Sequence, residues 1–137
     1  MFGTAPSLAA FIAWTLSLLI LMEILRTRLV MTGQVPANGF SPGNDGLSPF
    51  LQRLARAHLN CVESLPVFGG LMLLAIATHR TAVTDPLAAA LVAARIAQST
   101  IHLVSTSAPA VTLRFAAFAV QVAIAAWWAW GLLRALA

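Results

Sequence analysis

The chain has 137 residues, 60% of them hydrophobic and only 9% charged, with a mean hydropathy of +0.88. Soluble domains carry about 25% charged residues, so this composition excludes an ordinary soluble enzyme and indicates a single membrane domain of about four spans. The net charge of +4 rests on eight arginines without a lysine, no soluble face exists on which they could meet nucleic acid, and a lone cysteine, Cys61, rules out an internal disulfide.

The first apolar run, about 5–30, ends in Glu23, Arg26 and Arg28. No basic residue precedes it, so it lacks the n-region of a cleaved signal peptide. The arginines that follow place the N-terminus outside and the next segment inside. Residues 31–48 contain Gly33, Pro36, Gly39, Pro42, Gly43 and Gly46 and have no apolar period, which predicts an inside loop, ordered or acting as a lid. Ser48-Pro49 reads as a cap with proline at the first helical position. The second helix is predicted over 49–79, with Pro66 kinking it.

His79 and Arg80 mark a short outer turn, and Asp85-Pro86 repeats the cap-plus-proline signal before a third helix at about 86–106. Ser105, Ser107 and Pro109 break it, and a fourth helix covers about 109–136. Trp127, Trp128 and Trp130 suit an interfacial belt at its end. Arg26, Arg28, Arg53, Arg56 and Arg114 then lie inside against Arg80 and Arg134 outside, so both termini face out. The expectation is an all-α membrane protein, one four-transmembrane-helix bundle over 1–137. The lysine-free, Ala- and Arg-rich usage points to a bacterial inner membrane.

Three polar stripes interrupt the apolar pattern. Arg56, Asn60 and Glu63 fall within about 60° of one another at 100° per residue. Arg95, Gln98 and His102 repeat this spacing on the third helix, and Arg114, Phe118 and Gln121 enter the fourth. Ionisable residues at membrane depth are costly and mark sites by default. A duller reading stands beside this one: Arg26, Arg28, Arg53 and even Arg114 suit snorkelling anchors, and Glu63 and Arg95 could simply neutralise each other. His102 has no second ligand on its helix face, which argues against a metal, and Cys61 reads as a small buried hydrophobe. A pocket of several arginines, one acid and two amides suits a molecule with more carboxylates than amines. Glutathione fits that description, and a phospholipid headgroup also suits it.

The segment RAHLNCVESLPVF, residues 56–68, resembles the second-helix signature of the membrane-associated proteins in eicosanoid and glutathione metabolism, the MAPEG family. The resemblance extends to the Arg-rich end of the first helix, the Gly/Pro loop, an arginine in the third helix and Arg114 at the start of the fourth. It implies a homotrimer that binds glutathione as co-substrate between subunits near the cytosolic face. Arg56, Asn60 and Glu63 would grip the peptide, Arg95, Gln98 and His102 would line the other wall, Arg26 would contribute from the first helix, and Arg114 would stabilise the thiolate. The implied activity is a glutathione-dependent transferase or peroxidase acting on lipophilic electrophiles delivered from membrane lipids. The chain departs from the pattern in two ways: its third-to-fourth loop is longer, and it has no tyrosine, so Gln98 and His102 stand where many eukaryotic members place tyrosines. The missing aromatics keep a second reading open, a non-catalytic protein holding a lipid or organic anion in the same pocket. A proton-coupled exporter built on Glu63 is a third.

Overall fold

The computed structural model describes residues 3–137, which form four long helices, α1 (Thr4–Met31), α2 (Pro49–Ala77), α3 (Asp85–Val104) and α4 (Ala108–Leu136), with a 3-10 turn at Thr81–Val83 and no strand among them. Each long helix is sufficiently long and apolar to cross a membrane. The chain is thus a multi-pass integral membrane protein.

Local chemistry sets the helix ends. The Ser48 hydroxyl accepts from the Leu51 amide at 3.3 Å with Pro49 in the first turn, and Ser107 does the same for Ala110 at 3.5 Å. α2 stops at Ala77 rather than at His79, because His79 turns into the left-handed region at φ 57°. Asp85 departs from expectation more sharply. It is the first residue of α3 and does not cap its own helix; its Oδ1 accepts from the backbone amide and the hydroxyl of Thr4, both at 2.7 Å. The carboxylate therefore caps α1 from across the bundle, where the amide dipoles of that helix favour a negative charge.

That clasp places the starts of α1 and α3 at one end, beside the 78–84 turn. At the other end lie the 32–48 loop, the start of α2 and the end of α3, where Arg53 Nε donates to the Leu103 carbonyl at 3.0 Å. The helices therefore run up and down. The loop is ordered, with Gly33 and Gly46 supplying positive φ of 70° and 78° at its turns.

α1 packs on α2 and α3, while α4 packs mainly on α3 and more lightly on α2. The core is made of Phe11, Leu54, Met72, Leu91 and Trp128. Trp128 was expected at the interface with its neighbours; Trp127 and Trp130 are indeed exposed, but Trp128 lies about 100° round the helix from Trp127 and is buried. Outward positions such as Ile12, Leu16, Leu73, Phe115 and Leu133 are apolar and exposed, as a lipid-facing or subunit-facing surface requires. The light contact between α2 and α4 leaves a groove whose floor is α3.

Candidate functional site

The groove has a volume of about 920 Å³ and is lined by Asn60, Glu63 and Pro66–Leu74 residues of α2, by Arg95 and Gln98 of α3, and by Phe118, Val122 and three alanines of α4. Its polar groups cluster at one stretch, where Asn60, Glu63, Arg95 and Gln98 meet. The remainder is apolar, so one compartment joins a charged end to a greasy run.

Arg95 is the decisive residue. It is only 1% exposed, yet no carboxylate pairs with it. Its Nη1 donates to the Asn60 carbonyl at 3.4 Å, a long bond, and its Nε and Nη2 have no partner among the described residues. Two rings flank the guanidinium, Phe11 at 5.9 Å and Phe68 at 5.8 Å from their centroids. Such faces stabilise a cation without consuming its N–H donors. The expected alternative of an Arg95–Glu63 ion pair is absent: Glu63 is exposed, and the ion pair found among the described residues joins Arg26 to Glu23. A buried guanidinium with two free donors is costly and poised for an anion.

Asn60 and Glu63 share the groove face of α2, as their spacing requires. Ser64 lies one turn after Asn60 and donates back to the Asn60 carbonyl at 2.7 Å and the Cys61 carbonyl at 3.1 Å, next to the point where Pro66 withholds the donor that Val62 needs. Cys61 lies further round α2 and faces α3 on the side of Ser99 and Arg95. Its Sγ is buried, 3.5 Å from the Ser99 hydroxyl.

The other predicted residues divide into two groups. His102 is buried with both ring nitrogens unpartnered, and the guanidiniums whose charges act on it are those of Arg114, Arg56 and Arg53. Arg114 is half-buried and its Nε is also without a partner, while Arg56 is exposed. This cationic cluster lies toward the loop end, two helical turns or about 10 Å along α3 from Arg95. Arg26 is not brought to either place. Its donors are spent on Asn44, Ser41 and Glu23, and its cation sits 5.4 Å from the Phe40 ring centroid.

Gln121, named in the third polar stripe but given no ligand-binding role there, is fully buried on α4 and donates to Gln98 Oε1 at 3.0 Å. Its position in the Arg114–Phe118–Gln121 stripe was the available signal.

A comparison of the sequence with known families matches the MAPEG family over residues 5–134. The chain belongs to the MAPEG family. No curated protein and no solved structure gives a match. MAPEG membership brings with it a family that includes glutathione transferases and peroxidases. Within this MAPEG chain Asn60 and Glu63 of the α2 signature and the arginine of α3 meet at one groove, while Arg114 and His102 do not line it and lie beyond it toward the loop end.

Proposed function

We propose that this MAPEG protein is a membrane-bound, glutathione-dependent transferase or peroxidase acting on lipophilic electrophiles. The observation that carries the reading is the Arg95 guanidinium, buried on the groove wall with two unpartnered donors and with Asn60, Glu63 and Gln98 beside it. Those groups match glutathione chemically: guanidinium and amide donors take carboxylates, amide oxygens take peptide N–H groups, and the Glu63 carboxylate answers an ammonium. The apolar run of the groove suits a second substrate that enters sideways from the bilayer.

Arg114 is the proposed catalytic group. A thiol with a pKa near 8.5 is only a few per cent ionised at neutral pH. A guanidinium held against the sulfur lowers that by about 2 units, roughly 2.7 kcal/mol, so that the thiolate becomes the majority species. The thiolate attacks the electrophilic atom, the new bond to sulfur forms as the leaving group departs, and the thiol proton goes to solvent at the loop end. Arg56 and His102 add positive and polar groups there.

The protein is proposed to act as a homotrimer. Arg56 and Glu63 are exposed on the single subunit, a costly arrangement against lipid that a neighbouring subunit would relieve. The distribution of arginines supports a cytoplasmic loop end, with both termini outside and an inner-membrane location. The test is Arg114→Ala: conjugation of a model electrophile should be abolished while the oligomer persists, and unchanged turnover would overturn the assignment. The absence of tyrosine favours a second reading, in which the groove holds a lipid or organic anion without catalysis. Phospholipid co-purifying with a protein that has no glutathione affinity would establish it.

A further inference from the structure

Gln121 is wholly buried, and its amide nitrogen donates twice, to the Ala117 carbonyl at 2.9 Å and to Gln98 Oε1 at 3.0 Å. A backbone carbonyl can only accept, so the atom facing it must be nitrogen, and this fixes the orientation of the Gln121 amide. The same NH2 group holds the oxygen of Gln98. An amide whose oxygen is held has its own NH2 turned away from the holder. Gln98 is half-buried and lines the groove, one turn after Arg95, whose Nε and Nη2 are unpartnered.

We propose that Gln121 is a positioning residue that locks the Gln98 amide with its NH2 toward the groove, so that Gln98 and Arg95 form a joint donor site selecting a carboxylate of the ligand. This rests on the glutathione reading above and names how the groove discriminates. The arrangement has a cost that a purely packing residue would avoid: Gln121 Oε1 is buried with no partner among the described residues. An apolar side chain of the same shape would remove that unsatisfied acceptor and pack in its place. What the amide supplies and the apolar residue cannot is the donor that orients Gln98. Without it, Gln98 rotates freely and offers its oxygen as often as its nitrogen, and an oxygen repels a carboxylate.

The test uses the full chain in detergent with two probes, glutathione and its diethyl ester, in which both carboxylates are masked. The ratio of their dissociation constants is measured for the unaltered protein, Gln121→Met, Gln98→Met and the double variant. The unaltered protein should prefer glutathione, and Gln121→Met should reduce that preference about fivefold, the equivalent of one oriented hydrogen bond. Gln98→Met should reduce it by a similar factor. The double variant should show no further loss, because the two residues act through one amide. Gln121→Leu gives the same readout if the methionine disturbs folding. An unchanged preference in Gln121→Met, or effects that multiply in the double variant, would overturn the proposal while leaving the glutathione reading intact. An unaltered protein with affinity for neither probe would overturn both.

Discussion

The Arg26 guanidinium closes on the side-chain oxygen of Asn44 with two donors, Nε at 2.9 Å and Nη2 at 2.6 Å. Asn44 is itself fully buried, takes the left-handed conformation at φ 56°, and donates to the Leu51 carbonyl at 2.9 Å. One residue at the end of α1 thereby ties the 32–48 loop to the first turn of α2. The role implied for Arg26 by family resemblance was ligand binding, whereas its donors in this subunit hold the loop.

Arg26→Ala should therefore act on the loop first. It removes charge-assisted bonds worth about 1.5–3 kcal/mol and leaves the Asn44 oxygen without its donor. Limited proteolysis should show faster cleavage within residues 32–48, together with a lower thermal midpoint. Arg26→Lys should rescue little, because an ammonium does not reproduce the two-donor fork. Intact loop protection combined with lost glutathione affinity would instead return Arg26 to the binding site.

Asp85 offers a cleaner stability test, since it is remote from the groove. Asp85→Ala should destabilise the bundle by about 1–2 kcal/mol through loss of the α1 cap. In a double-mutant cycle with Thr4→Val the coupling should account for only part of that loss, because valine removes the hydroxyl bond to Asp85 Oδ1 and keeps the backbone amide that the carboxylate caps. Independent, additive effects would contradict the hydroxyl bond, and an unchanged stability of Asp85→Ala would contradict the cross-bundle cap. Glutathione affinity should stay within experimental error.

Arg95 should show the opposite pattern, with function and stability moving apart. Arg95→Met keeps an unbranched apolar stem and removes a buried cation that no carboxylate neutralises. Replacement of buried charge by well-packed apolar groups is often neutral or stabilising. The thermal midpoint of the ligand-free protein should thus hold or rise, while glutathione affinity falls at least about tenfold, the worth of one charge-assisted bond. A drop in both would mean that Arg95 is a structural element.

The sequence disclosed what depends on neighbours along the chain. Hydropathy marks the four helices, the Ser48-Pro49 signal sits at a real helix start, Ser105, Ser107 and Pro109 fall at the break between α3 and α4, and the spacing of Asn60 and Glu63 puts both on the groove face of α2. What it concealed depends on partners brought together only by folding. Asp85 carries the local signature of a cap, yet the amide it satisfies is 81 residues away. Arg26 looks like any interfacial arginine until the loop folds back onto it. Periodicity could put Arg95 on a stripe but could not tell whether Glu63 would neutralise it, since that turns on how α2 and α3 are rotated about their axes. Trp128 was hidden because α4 is apolar on nearly every face, so its pattern does not say which face is buried, and the stripe that marked Gln121 could not show its pairing with Gln98.

Glutathione binding in the groove beside Arg95 underlies every step proposed for this protein, and calorimetric titration of the detergent-solubilised protein with glutathione measures it. Binding should be saturable, and Arg95→Met should weaken it at least about tenfold without lowering the thermal midpoint. Absence of binding to the unaltered protein, or binding that Arg95→Met leaves unchanged, would contradict that site.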